Sequence, residues 1–399
     1  MLLVIGLLNA AGEGKVSPPV QEMTQSGLGG HGPEWKDLSV YSRSRTPAQL
    51  RDALANTYLP YCPGVAEAVL SAGALRLPHG GDGGLTIPLA ENGTAPAKPP
   101  RYWRTRAELP PAAAGMPLAG LRIALDPGHI GGDYAAIEQR SWSVERAGPL
   151  ICEGDLTLLL ARHLKPRLEA LGAAVTLVRT GREPLTDATP EQFAGHPRVL
   201  ATPPAGRAQV AERLAYVTAE IRARARRVNE VIRPDIALCL HLNAAAWADP
   251  AAPALVPENH AHVIINGAYL PDELAREDVR LAMWRRLLSG VYEEERALGL
   301  ALAHAVEAQT GLPPFTYTGR NAVQVGGNPY LWARNLLANR LYRCPTLFLE
   351  LYVANSVPVY PRLKAVLQAE AAGEPLPEGN LIDEYADAVV AGLVRYYSR

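Results

Sequence analysis

Two periods of apolar residues alternate along the chain from Leu118 onward. "LRIAL" (121–125) reads as a strand that stops abruptly in Asp126-Pro127-Gly128-His129. "EGDLTLLLARHLKPRLEALG" then sets Leu156, Leu160, Leu164, Leu168 and Leu171 on one helical stripe, with Gly172 placed to end it and Pro166 placed to bend it. "AAVTLVR" is the next strand. A long helix follows over about 208–232, where Val210, Leu214, Val217, Ile221, Ala225, Val228 and Ile232 recur at steps of three and four. Its other face carries Arg222, Arg224, Arg226 and Arg227, and Pro234 closes it. "DIALCL", "AHVII" and "PTLFLEL" are further strands, with a helix pair around 273–310 and a last helix over about 381–397. Such alternation predicts an α/β fold, a mostly parallel or mixed sheet covered by helices on both faces.

Upstream the texture is different. Residues 1–45 read as a lead-in, rich in Gly, Ser and Pro beyond the first dozen. Residues 46–95 read as a small N-terminal appendage of unassigned role, with a short helix in "PAQLRDALANTYL" and a strand in "GLTIPLA". Proline-rich stretches then mark a linker over 96–117, leaving 118–399 as the main domain. The start, "MLLVIGLLNAAGEG", has the apolar run and small residues of an export signal but lacks its positively charged beginning. Both an export signal and a misplaced start site fit it.

Composition narrows the function without naming it. With 48% hydrophobic residues among 399, the chain has ample material for a packed core. A formal net charge of −1 gives no basic face for nucleic acid. No run approaches the roughly 18 apolar residues of a membrane-spanning helix. Cys62, Cys152, Cys239 and Cys344 are far apart and form no CxxC, so neither a disulfide framework nor a structural zinc knot is indicated.

Three polar residues stand where apolar strands stop: His129, His241 and Glu350. In open α/β sheets the carboxyl ends of strands border the ligand crevice. Glu153 opens the leucine-striped helix, another position facing a strand end. Two imidazoles and one carboxylate make an ordinary shell for catalytic zinc, and a further carboxylate then serves as general base. Each residue also has a plain structural explanation. A histidine after a strand is commonly a hydrogen-bonded turn residue, an acid at a helix start answers the dipole, and His241 with Asn243 fits an ordinary turn. Glu350 resists such explanation, because an unpartnered carboxylate in an otherwise apolar strand is costly. No short motif such as HExxH links these positions, so only the fold can bring them together. From the residues alone, the reading ends at a zinc hydrolase.

In order, "LDPGHIGGD", "EGDLTLLLARHLKPRLEALGAAVTLVRT", "RARRVN", "LCLHLN" and "LFLELYVANS" resemble the zinc-dependent N-acetylmuramoyl-L-alanine amidases of bacterial cell walls, the amidase type 3 catalytic-domain family. The resemblance covers about 118–398. It implies one Zn²⁺ ion bound by His129, Glu153 and His241, with Glu350 as catalytic carboxylate. It also implies cleavage of the amide between N-acetylmuramic acid and L-alanine in peptidoglycan, hence a periplasmic or secreted protein of the cell envelope, with a protein regulator as a further expected partner.

Departures from the pattern set further expectations. Ile130 interrupts the usual Gly-Gly after the histidine, Cys239 stands where Ser is usual, and Arg224 and Asn229 match the family helix loosely. A solvated basic face explains the four arginines equally well. Glu138 and Glu145 rival Glu153 as ligand, and Glu153 is preferred because the striped helix starts there. Added sequence at 182–206, 246–260 and 271–296 is expected to wall or cover the cleft. Two alternatives stay open: an amidohydrolase of the same fold acting on soluble muropeptides or another peptide amide, and a non-catalytic cell-wall-binding regulator. The regulator predicts the loss of one of the four polar residues, and none is lost.

Overall fold

β-branched and leucine-rich runs too short for helices assemble into the central sheet of the computed structural model, which describes residues 34–78, 84–112, 114–145, 148–247 and 253–398. The N-terminal part comprises α1 (Pro47–Ala53), α2 (Pro63–Val69) and the antiparallel hairpin β1 (Ala74–Leu77) and β2 (Leu85–Pro88). β3 (Arg122–Pro127) leads to a two-strand ribbon of β4 (Ser141–Trp142) and β5 (Ile151–Cys152), then α3 (Glu153–Ala170) and β6 (Ala174–Leu177). After α4 (Pro197–Ala201), α5 (Arg207–Arg213) and α6 (Glu220–Arg226) come β7 (Ile236–Asn243) and β8 (Ala261–Ile265). The remainder is α7 (Pro271–Leu274), α8 (Glu277–Ser289), α9 (Val291–Thr310), β9 (Val323–Gln324), β10 (Leu331–Ala333), α10 (Leu337–Leu341), β11 (Thr346–Val353), α11 (Tyr360–Ala372) and α12 (Leu381–Tyr397).

Seven strands form one mixed sheet in the order β6-β3-β7-β11-β8-β10-β9. Pairing is parallel from β6 to β11 and between β8 and β10, while β8 runs antiparallel to β11 and β9 to β10. The α/β sandwich read from the sequence is therefore present, with its reversal at β8. Ile123, Leu125, Leu238, Leu240, Leu347 and Leu349 point into one buried layer together with α3, α9 and α12. Ala124, Cys239, Ile264 and Phe348 point the other way, under the 207–232 helix and α10. That helix is continuous, but it widens into π-type turns at Leu214–Ala219 and Arg227–Ile232.

The N-terminal residues share the main core. Trp35, Leu38, Leu50, Leu54 and Tyr58 are buried in the same apolar cluster as α9 and α12. Trp35–Tyr41, which falls in the expected lead-in, is a helical turn. Ser44 Oγ donates to Leu288 O at 3.0 Å, and Tyr58 stacks on Tyr269 at 5.9 Å. The segment 271–296 is thus the seat of this N-terminal part. The segment suspected of export lies outside the described residues. No helix among the described residues is long and apolar enough to cross a membrane, and the four cysteines are free and buried.

Candidate metal centre

β3 ends in a loop with no room for side chains. A Cβ at Gly128 would lie 2.4 Å from Cε1 of His241 and 2.6 Å from the carbonyl oxygen of Leu240. At Gly154, in the first turn of α3, it would lie 2.2 Å from the Ile130 carbonyl oxygen. These two glycines let the loop, the helix start and the end of β7 touch. Between them His129 adopts a left-handed backbone, φ 59°, a conformation that non-glycine residues enter at a cost. Thr157 Oγ1 donates to Gly128 O at 2.7 Å. Two buried arginines hold the loop from below. Arg179 donates to Pro127 O at 3.0 Å, to Gly128 O at 3.2 Å and to Gly154 O, while Arg224 donates to Pro127 O at 2.8 Å and to His129 O at 2.7 Å. Arg224 also pairs with Asp126 at 3.0 Å and Glu220 at 2.7 Å. The solvated-face reading fails at this residue: Arg224 is 4% exposed, because loop carbonyls and two carboxylates take its donors.

His129, Glu153 and His241 converge, with one ligand atom from each lying within 4.8 Å of the others. His129 Nε2 is 3.4 Å and His241 Nδ1 3.2 Å from Glu153 Oε1, and the two rings meet edge to face at 4.9 Å. His241 stacks on Phe348 at 5.1 Å. Burial alone would raise the Glu153 carboxyl; the charge on His129, the His241 hydrogen bond and Arg140 outweigh it and hold the group down to about 2. His241 goes the other way: burial disfavours its charge, but Glu153 and Glu350 raise it.

The rival carboxylates lie elsewhere. Glu138 accepts from Ile130 N at 2.7 Å and sits 3.4 Å from His129 Nδ1, behind the ring. Glu145 is exposed and pairs with Lys364 at 2.6 Å. The donor set fits zinc. Two imidazoles and a carboxylate suit a site with an open fourth position, and a carboxylate on the second nitrogen of one imidazole is the usual support of a metal-binding histidine.

Glu350 is the register neighbour of His241 on β7 and of His262 on β8, so all three side chains rise from one face of the sheet. A register shift follows it, with Tyr352 at φ 64°. Asn243 Nδ2 donates to Glu350 O at 3.1 Å, which gives Asn243 a role as a brace. Burial pushes the Glu350 carboxyl up to about 6; His241 opposes this, Glu153 adds to it, and Arg140 and Arg334 lower it. Neither arginine stands out in the sequence. Arg140 lies in the 132–152 excursion, its Nε 3.7 Å from Glu153 Oε2, and Arg334 follows a three-residue strand.

No protein-family model matches the chain, and no curated protein does. Among solved structures the chain is similar to N-acetylmuramoyl-L-alanine amidases. One from Mycobacterium abscessus, in its apo form, is 19% identical over 70% of this chain and all of that one, with a TM-score of 0.38. CwlD of Clostridioides difficile, solved in complex with the GerS lipoprotein, is 11% identical over 69% and 96%, at 0.39. The catalytic domain of CwlV from Bacillus (Paenibacillus) polymyxa is 12% identical over 69% and 94%, at 0.36. At these values the superpositions are loose, and the chemistry rests on the site itself.

Proposed function

We propose that the protein is a zinc-dependent N-acetylmuramoyl-L-alanine amidase that hydrolyses the amide between N-acetylmuramic acid and L-alanine in the bacterial cell envelope. The observation that carries this reading is the convergence of His129, Glu153 and His241 beside a buried carboxylate, Glu350. The ordered motifs of the sequence supply the substrate class. His129, Glu153 and His241 would hold one zinc ion, which supplies Lewis acidity toward the scissile carbonyl and the attacking water. Glu350 takes a proton from that water and passes it to the departing amine nitrogen. Burial raises this carboxyl above the ordinary carboxylate value, which favours a group that must both take up and give back a proton. Arg224 and Arg179 keep the His129 loop in place through backbone carbonyls. Residues 118–399 are the catalytic unit in this reading.

The test is mass spectrometry of peptidoglycan fragments incubated with zinc-loaded protein, beside Glu350→Gln. Free stem peptides and peptide-free glycan are expected from the unaltered protein, with the rate about 10²–10⁴-fold lower in the variant while metal analysis finds zinc in both. Bound zinc without cleavage would overturn the substrate. No bound zinc would overturn the site.

A further inference from the structure

On the far side of Glu350 from the candidate ligands stands a wall of rings and one arginine. His262, 1% exposed, is Glu350's neighbour on β8. Its Nε2 lies 2.8 Å from Tyr317 Oη, and Arg334 Nη1 donates to the same oxygen at 3.3 Å. An arginine can only donate, so Tyr317 Oη accepts the Arg334 bond. The other ring nitrogen of His262, Nδ1, is buried without a partner. Phe315 packs on Tyr317 at 4.7 Å and on His262 at 5.1 Å, and Trp332 closes the row at 5.2 Å from Tyr317. The Arg334 guanidinium lies over the Tyr317 ring at 4.8 Å.

Arg334 is the informative member. Among the described residues no carboxylate pairs with it, its Nε is buried without a partner, and its one side-chain hydrogen bond goes to a neutral hydroxyl. A half-buried guanidinium, oriented by an aromatic ring and a hydroxyl beside a catalytic-site carboxylate, is a ready partner for a second carboxylate that arrives with a ligand. We propose that Arg334, oriented by Tyr317 and His262, is a specificity-determining residue that takes a free carboxylate on the peptide portion of the substrate. The subsite rests on the amidase reading, and it selects acidic peptide chains over amidated ones.

The experiment compares N-acetylmuramoyl-L-alanyl-D-glutamate, which ends in two free carboxylates, with its diamide, in which both are carboxamides. Binding is measured by calorimetry on zinc-loaded protein carrying Glu350→Gln, and kcat and KM are measured with Glu350 intact, each with and without Arg334→Gln. A lost charged hydrogen bond is worth about tenfold in affinity, so Arg334→Gln is expected to weaken the carboxylate ligand about that much. Affinity for the diamide, measured with Glu350→Gln in place, should change less than twofold, which also shows that the variant is folded. Tyr317→Phe should produce a smaller loss in the same direction, in KM rather than kcat. Equal losses for both ligands, or none, overturn the subsite and leave Arg334 as a tuner of Glu350. Carboxylate preference without cleavage overturns the amidase reading alone. Failure of both ligands to bind the Arg334-containing protein overturns the two together.

Discussion

At the scale of single residues, the site is built from close contact and paired charge. Gly128 and Gly154 have no atoms to spare against His241 and Ile130, and the His129 backbone is held in a conformation the residue would not choose. Glu138 illustrates support from outside the candidate ligand set. It bonds the Ile130 amide and stands behind His129, so it fixes where Nε2 points. Glu138→Ala should leave all three proposed ligands in place yet lower zinc affinity by about 10–100-fold, the usual size for such a partner. Competition with a chromogenic chelator measures it; unchanged affinity would make Glu138 a loop brace only. What was legible in the sequence at this scale were polar residues breaking apolar runs: His129, His241 and Glu350. Arg140, Arg334, Tyr317 and His262 were not, because each lies in loops or short strands whose partners are distant in sequence.

At the scale of elements, the strands and long helices could be read because each carries its period within itself. The reversal at β8 and the short strands β9 and β10 could not, since two or three residues hold no period and their pairing is decided across the sheet. The stretch 101–108 read as linker for the same reason; what fixes it is Asp235, far along the chain. That fully buried carboxylate accepts from the backbone and guanidinium of both Arg104 and Arg122 at 2.6–3.2 Å. Burial would raise its pKa, but the hydrogen bonds from the two arginines outweigh that and hold it below the ordinary value. The sign follows by linkage: a depressed folded-state pKa stabilises above the unfolded value of about 3.9, and this is lost as pH falls through the folded one. Asp235→Asn should therefore cost about 2–4 kcal/mol near neutrality, the range for removing one partner of a buried charged hydrogen-bonded group, less some solvent screening of the half-exposed arginines. The cost should begin to shrink below about pH 4, where the unfolded chain with Asp235 takes up a proton, and shrink further as pH falls through the folded value. Urea unfolding at pH 7 and pH 3.5 checks this, and equal costs at both would count against it.

At the scale of the whole molecule, the change of texture near residue 118 suggests an appendage joined to a domain, whereas the packing joins them. Leu50, Leu54 and Tyr58 are fully buried. Thr57 O accepts from Ala268 N at 2.7 Å, Tyr58 O accepts from Tyr269 N at 2.8 Å, and Thr57 Oγ1 meets Tyr292 Oη at 3.0 Å. Arg45 donates to Leu287 O at 3.1 Å, in the last turn of α8. Sequence pattern cannot reveal this, because a short amphipathic segment looks the same whether it covers its own small core or the side of a larger one. Removing 34–90 would strip these bonds and bare Tyr269, Leu287, Leu288 and Tyr292 on the surface opposite the segment. Truncating Leu50 to Ala should alone cost about 2–5 kcal/mol, a large share of the 5–15 kcal/mol typical of a whole fold. The chain from residue 96 onward is therefore expected to lack a cooperative thermal transition when produced alone, and to bind zinc weakly because the sheet that positions His241 and Glu350 is no longer held. Calorimetry decides it: a sharp transition near that of the full chain would mean that the N-terminal segment is a detachable module, and its role would then have to be sought in binding rather than in folding.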